Sequence, residues 1–200
     1  MPRMTRAEQQ EHTHERLLEA GRSVLTRRGF LAATVEEIAV EAGYTRGALY
    51  KHFGGKEGLL LAILDAHAEA HLRLLSETLD EVTDQEELIA AFVPSGFTDD
   101  EDAARWSATT AEFRASVISQ PEIAATALAA QRKHEGQIVA MLEKHCARLG
   151  IRPALPLPQL VVVLGALGGS LSLRRGVDPD TDVAAILGNV LAVIFPGTKK

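Results

Sequence analysis

The sequence contains little cysteine and few aromatic residues. Its one cysteine, Cys146, can form neither an intrachain disulfide nor a cysteine metal cluster, and we expect it to be a packing residue in a reducing compartment. Aromatic residues make up only 4% of the chain. Alanine and leucine are abundant, so the composition favours helices over sheet.

Membrane and targeting signals are also missing. No unbroken apolar run reaches about 18 residues, so we expect no transmembrane helix, and the N-terminus lacks the apolar core of a signal peptide. We therefore expect a cytoplasmic protein with no membrane association. With 200 residues, of which 46% are hydrophobic and 24% charged, the chain has the composition of a soluble globular protein with one large domain or two small ones.

Signatures of catalysis are absent as well. The sequence has no Gly-rich phosphate loop, nucleophile elbow or HExxH motif, so we predict no catalytic residue and no cofactor. His67 and His71 have the i, i+4 spacing of metal ligands, but no third ligand lies nearby in sequence and we predict no metal site. An enzyme stays a distant alternative, which would need a pocket with a histidine such as His67 or His134 as base.

An overall excess of basic residues is lacking, since the formal net charge is −6. The charge is divided unevenly, however. Residues 1–56 carry nine Lys or Arg and seven Asp or Glu, a net charge of +2, and the rest of the chain carries −8. A positive N-terminal part on an acidic body favours contact with a polyanion at one end of the molecule.

Two short helices are predicted within the N-terminal part. Thr34 is an N-cap with Glu37 three residues later, which is the pattern of a capping box. Gly43 stands where the end of this helix needs a residue that tolerates positive φ. Thr45 is a second N-cap, and the helix that it opens ends near Phe53, before two glycines. Two short helices joined at a glycine form a helix-turn-helix.

The second helix of this pair carries the chemistry. At about 100° per residue, Leu49 and Phe53 face inward, whereas Gly47, Tyr50 and Lys51 face outward. A cation, an aromatic hydroxyl and a gap at glycine suit close approach to DNA, because this helix of a helix-turn-helix enters the major groove. Each outward residue alone could simply be solvated. Together with the caps and the turn, they predict DNA binding.

The stretch TVEEIAVEAGYTRGALYKHFGGKEGLL, residues 34–60, resembles the DNA-binding signature of the TetR family of bacterial transcriptional regulators. Tyr44 departs from the family, in which small residues are more usual there, and it either adds a backbone contact or fills space. His52 is either a phosphate ligand or a partly buried histidine, because helical periodicity turns it toward the core. We expect Tyr50 and Lys56 to be exposed. The DNA-contacting residues that the resemblance implies are Thr34, Tyr44, Thr45, Arg46, Gly47, Tyr50, Lys51, His52 and Lys56.

Caps, periodicity and helix breakers predict seven further helices, with a loop at Pro94 and Gly96. These helices lie at about 5–28, 56–80, within 81–101, around Trp106 and Phe113, and at about 121–149, 158–174 and 180–195.

The last two helices carry more apolar surface than one small body needs. The helix at 158–174 is apolar nearly all round, and its glycines permit close backbone approach. The helix at 180–195 has a broad apolar stripe that includes Leu187. A partner chain is the expected cover, and the resemblance implies the four-helix bundle of a dimer. We therefore predict a homodimer through 158–195, with Leu187 in its interface; burial inside a monomer is the alternative.

The resemblance implies an all-α architecture with two domains. Residues 1–55 form a three-helix helix-turn-helix DNA-binding domain, and residues 56–200 form a helical domain for ligand binding and dimerisation. In this body, Trp106 and Phe113 lie seven residues apart on one helix face, and neighbouring polar side chains could orient a ligand. Core packing is the alternative for Phe113. The predicted ligand-binding residues are His67, His71, Trp106, Phe113, Arg114, Gln131 and His134.

The predicted function is that of a repressor that binds a pseudo-palindromic operator in double-stranded DNA and is released by a small-molecule effector. The effector is expected to be mostly apolar, and neutral or weakly anionic. The effector would change the separation of the two DNA-binding domains of the dimer, which must match half-sites about 34 Å apart. The alternative is a DNA-binding protein of the same fold that is controlled by a protein partner or by no ligand. An apolar cavity in the body favours the first function, and a filled core favours the second.

Overall fold

The computed structural model describes residues 5–93 and 101–196, and the predicted loop at Pro94 and Gly96 lies outside these ranges. All regular secondary structure within them is helical, which confirms the all-α class. The helices are α1 (Arg6–Arg28), α2 (Val35–Ala42), α3 (Arg46–Phe53), α4 (Lys56–Glu81), α5 (Gln85–Phe92), α6 (Glu101–Val117), α7 (Pro121–Leu149), α8 (Leu157–Arg175) and α9 (Val183–Ile194).

Local signals in the sequence set the ends of the N-terminal helices. Thr5 and Thr34 each complete a capping box, in which the threonine hydroxyl accepts the N–H of a glutamate three residues on. The glutamate carboxylate in turn accepts the N–H of the threonine. Gly43 and Gly54 follow α2 and α3 in the left-handed conformation, with φ of 77° and 74°. The predicted helix-turn-helix is therefore confirmed as a structural element.

The chain forms two compact units. The first contains the chain up to His67 together with Ala108–Ala127, so it includes α1, α2, α3 and the C-terminal part of α6. Its core holds fully buried side chains from successive helices, such as Leu17, Ile38 and Leu49. The domain boundary predicted between residues 55 and 56 stays a prediction.

The second unit contains Ala68–Ser107 and the chain from Leu128 onward. Its core combines leucines from α4, α5, α7, α8 and α9. Cys146 lies in this core and is 5% exposed, and burial raises the pKa of its thiol. The predicted packing role of Cys146 is therefore confirmed.

Helix α9 divides its apolar residues between two faces. Leu187 and Leu191 are buried inside the protomer, because α9 packs against α5 and α8 of the same chain. The expectation that Leu187 lies in a dimer interface is therefore wrong. Ile186 and Val193, which lie seven residues apart and so share a side of the helix, are 39% and 76% exposed.

Helix α8 also leaves much of its apolar surface open. Within the described ranges it is the one helix that is long and apolar enough to cross a membrane, although an apolar helix of a soluble protein passes the same test. The sequence of α8 contains no long unbroken apolar run, because polar residues and glycines interrupt it. Its hydropathy is high only as a mean over the helix. Beside Gly165, Gly168 and Gly169, nothing lies within 4 Å of the position that a Cβ would occupy.

Candidate DNA-binding site

The turn between α2 and α3 is closed by backbone hydrogen bonds. The Tyr44 N–H donates to the Ala39 carbonyl over 2.8 Å, across the left-handed Gly43. Tyr44 itself is half-buried, which leaves both of its predicted roles open. The hydroxyl of Thr34 already accepts the Glu37 N–H over 3.1 Å and donates to the Glu37 carboxylate over 3.0 Å. Thr34 is exposed, but its hydroxyl is engaged in the cap.

Helix α3 presents one continuous polar face. Leu49 is fully buried and anchors the helix to the core, whereas Tyr50 is 53% exposed. Gly47 and Lys51 are exposed on the same side, as the periodicity predicts. The hydroxyl of Thr45 accepts the Ala48 N–H over 3.4 Å. The N–H groups of Arg46 and Gly47 precede the first hydrogen bond within the helix, so the start of α3 offers backbone donors near the cation and the phenol.

Arg46 is exposed and pairs with a carboxylate from the preceding helix. Its Nη1 lies 2.5 Å from Oε1 of Glu36 on α2. This hydrogen bond lowers the pKa of Glu36, so the carboxylate stays ionised. The pair is open to water, where a phosphate can compete with Glu36 for the guanidinium.

His52 packs beside α1. Its ring is half-buried, with its centroid 5.9 Å from that of His14 and 6.0 Å from that of Phe53. Burial, together with the charges of His14 and Lys51, lowers the pKa of His52, so its neutral form is favoured near pH 7. This environment supports the reading of His52 as a partly buried histidine.

Lys56 differs most from its expected environment. It was expected to be exposed, and this is wrong: its side chain is half-buried, and its Nζ donates to the carbonyls of Phe30 and Ala33 over 2.6 and 2.8 Å. The same ammonium lies 4.5 Å from the centroid of the Phe30 ring. Lys56 opens α4, where a cation opposes the positive end of the helix dipole. This unfavourable position of a positive charge was the one signal in the sequence that the Lys56 ammonium needs hydrogen-bond acceptors nearby.

Sequence reasoning missed two groups that build this site. Glu112 on α6 accepts the Leu31 N–H over 2.9 Å, 81 residues away in sequence. Gly58 lies so close to the end of α3 that a Cβ there would be 1.9 Å from the Phe53 carbonyl oxygen. No pattern in the neighbouring sequence predicts the contact of Glu112. For Gly58, the only signal is that a glycine stands in the first turn of a helix, where helix formation does not require one.

The predicted ligand-binding residues divide between the two compact units. His67, Phe113 and Arg114 belong to the first unit, and Phe113 is buried there, 5.2 Å from the Phe30 ring in an edge-to-face arrangement. This packing supports the core alternative for Phe113. The others, His71, Trp106, Gln131 and His134, belong to the second unit.

Comparison with known proteins identifies the motif. The family model of bacterial regulatory proteins of the TetR family matches residues 17–63. The HTH-type transcriptional regulator TtgR of Pseudomonas putida is 43% identical over 84 residues, which cover 41% of this chain and 40% of TtgR. The fold matches that of a Rhodococcus sp. protein described as a TetR-family transcriptional regulator, with a TM-score of 0.75 and 23% identity over 92% of this chain and 99% of that one. Residues 17–63 carry the signature of the TetR family.

The sequence similarity to TetR-family regulators covers only part of each protein. The chain spans only about 40% of the length of the curated relatives TtgR and ArpR of Pseudomonas putida. The fold also matches the transcriptional regulator FadR from Bacillus subtilis, solved in complex with stearoyl-CoA, with a TM-score of 0.60 and 16% identity over 92% of this chain and 99% of FadR. At such identities the structural likenesses show the fold alone. The curated relatives that match are named as transcriptional regulators.

Proposed function

We propose that this TetR-family chain is a transcriptional regulator that reads double-stranded operator DNA with α3 in the major groove. The observation that carries the proposal is the exposed face of Gly47, Tyr50 and Lys51 on a helix that is anchored by the buried Leu49. An anchored helix with an open face loses little conformational entropy when it docks. The cation and the free amide donors of the first turn suit phosphate, and the side chains beyond them suit base edges.

The test separates DNA contact from folding by means of Gly47. A Cβ at Gly47 would meet only the Thr45 hydroxyl, at an ordinary distance of 3.7 Å, so Gly47→Ala fits the fold. Alanine is favoured over glycine within a helix by about 1 kcal/mol. We therefore expect Gly47→Ala to melt at or above the temperature of the parent and yet bind DNA at least about tenfold more weakly, because the methyl group blocks close approach.

Tyr50→Ala should weaken DNA binding in the same way without lowering the melting temperature. The probe is a duplex selected from a random-sequence library with the parent protein, and binding is followed by fluorescence anisotropy. Val40→Ala is the matched control, because Val40 is 79% exposed on α2 and is not part of the α3 face. DNA binding by both α3 variants at the affinity of the parent would contradict the proposal.

We propose that the regulator works as a homodimer through residues 158–195. The support is the apolar surface that α8 and α9 leave open in one protomer, which includes Ile186 and Val193. The open glycine face of α8 allows another helix to approach closely. A two-fold dimer places two copies of α3 on a pseudo-palindromic operator, with half-sites about 34 Å apart. A soluble regulator of this kind acts in the cytoplasm.

We also propose that a small molecule releases this protein, as a repressor, from its operator. The support lies in the second unit, where Trp106 is 9% exposed and His134 is half-buried. Glu69 and Lys133, which neighbour His71 and His134 in sequence, form an ion pair of 3.4 Å that joins α4 to α7. This unit therefore holds an apolar ring and several polar groups, which are the kinds of side chain that usually line a small-molecule site. Control by a protein partner, or by no ligand, is the alternative.

Trp106 is the only tryptophan and therefore reports on this region directly. We expect an effector to change its fluorescence, to raise the melting temperature by mass action, and to release DNA over one concentration range. The compounds to test are long-chain fatty acids, neutral apolar compounds and, because of the FadR complex, stearoyl-CoA. A compound that releases DNA from the parent and from Trp106→Ala at equal concentrations would place the effector site elsewhere.

A further inference from the structure

The short connection between α1 and α2 decides how the DNA-reading helices are held. Helix α1 ends at Arg28 and the cap of α2 is Thr34, so residues 29–33 form the connecting loop. Backbone groups in such a loop lack the regular partners that helices provide. The orientation of α2 and α3 is set by their packing on the core, through Ile38 and Leu49, and also by what binds this connecting loop.

One side of the connecting loop is held by α4. Lys56 donates to the carbonyls of Phe30 and Ala33, and its ammonium lies over the Phe30 ring. Two hydrogen bonds from a single ammonium fix the spacing of these two carbonyls. A charged donor makes a stronger hydrogen bond than a neutral one, so the ammonium holds the connecting loop firmly on this side.

The other side is held by α6. The Glu112 carboxylate accepts the Leu31 N–H over 2.9 Å, and the ring of the neighbouring Phe113 meets the edge of Phe30 at 5.2 Å. One turn earlier, the buried hydroxyl of Thr109 donates to the Leu25 carbonyl over 2.9 Å. The connecting loop is thus held through its carbonyls by α4 and through an N–H by α6.

We propose that Glu112 is a positioning residue for DNA binding. Its carboxylate fixes the connecting loop through the Leu31 N–H, and so sets the angle at which α3 is presented to the major groove. This inference rests on the proposed DNA-binding function. It assigns a determinant of DNA affinity to α6, more than 50 residues beyond the reading helix and outside the matched TetR-family region.

Glu112 is suited to positioning more than to holding the core together. Thr109 and Phe113 are buried and pack the helix, whereas the contact between Glu112 and Leu31 is open to solvent. Without the carboxylate, the Leu31 N–H can bind water, so the stability of the fold changes little. The connecting loop nevertheless loses its one hydrogen bond to Glu112 and keeps only the ring contact between Phe30 and Phe113 on the α6 side.

Three substitutions separate the hydrogen bond from the charge. Glu112→Gln keeps an acceptor at the same reach and removes the charge. Glu112→Asp keeps the charge but shortens the reach by one methylene, and Glu112→Ala removes both. We expect the Ala and Asp variants to bind the selected duplex about fivefold more weakly, the change that corresponds to one lost hydrogen bond. Glu112→Gln should bind like the parent.

Two further readouts distinguish positioning from a general loss of structure. The slope of affinity against salt should stay that of the parent in all three variants, because no phosphate contact is removed. Amide exchange at Leu31 should accelerate in the Ala and Asp variants and not in Glu112→Gln, while melting temperatures stay within about 3 °C of the parent. Glu122→Ala is the control, since it removes an exposed carboxylate elsewhere in the first unit.

The outcomes for the two proposals are distinct. If the parent selects no DNA, the proposed function fails. If the parent binds DNA and Glu112→Ala and Glu112→Asp bind equally well, the positioning role is wrong. A loss in Glu112→Gln as large as in Glu112→Ala would assign the effect to charge and would also overturn the inference.

Discussion

Replacing Gly58 by alanine is expected to destabilise the first unit more than a methyl group added at any other glycine that the structure describes. The added Cβ would lie 1.9 Å from the carbonyl oxygen of Phe53 and 3.0 Å from its carbonyl carbon. Both are backbone atoms at the end of α3, so no side-chain rotation relieves the overlap. The first turn of α4 must then move away from α3.

The net size of this effect follows from two opposing contributions. Alanine improves helix propensity by about 1 kcal/mol over glycine. Overpacking against rigid atoms costs typically 1–3 kcal/mol, and more where backbone must move, so we expect a net loss of about 2–3 kcal/mol. For a chain of this size that loss corresponds to a fall in melting temperature of roughly 4–12 °C. Thermal unfolding followed by circular dichroism measures it.

A glycine on another helix provides the control. At Gly136 on α7, nothing lies within 4 Å of the position of a Cβ, so Gly136→Ala should leave the melting temperature unchanged or raise it slightly. Because α3 and α4 separate in Gly58→Ala, DNA binding should weaken along with stability. The close approach of the two helices would be contradicted if Gly58→Ala melted within about 2 °C of the parent, a difference too small to count as a loss of stability.

Val193→Glu is expected to convert the proposed dimer into monomers and to weaken operator binding by at least about 100-fold, because a single helix-turn-helix loses the gain of a linked second site. Val193 is 76% exposed in the protomer and shares a side of α9 with Ile186. A carboxylate there stays solvated in the monomer but would be buried without a partner in an apolar interface, at a cost of several kcal/mol.

The choice of Val193 separates dissociation from unfolding. A substitution at Leu187, which is 3% exposed, would disturb the core of the protomer and so could not separate the two effects. Val177→Glu is the control, since Val177 is 89% exposed beyond the end of α8. Light scattering gives the mass, and anisotropy with the selected duplex gives the affinity. A parent protein that is monomeric at micromolar concentration, or a Val193→Glu protein that stays dimeric, would remove the basis for the dimer.

The sequence by itself determined the helices and the character of the reading face. Thr34, Thr45, Gly43 and Gly54 act on backbone groups within about four residues, so each helix end is a local event that a reader of the sequence can locate. The exposure of Tyr50 follows from helical periodicity once the inward face is known. The resemblance to the TetR family rests on the same short stretch.

Only the tertiary structure decided which of the remaining residues have partners. The ammonium of Lys56 binds carbonyls 23 and 26 residues earlier, and the Glu112 carboxylate binds an amide 81 residues earlier. On α9, periodicity gave one broad stripe, and packing against α5 and α8 divided it into the buried Leu187 and the exposed Val193. Such contacts depend on how whole helices are placed, because a side chain's own neighbours in sequence do not specify what another helix brings to it.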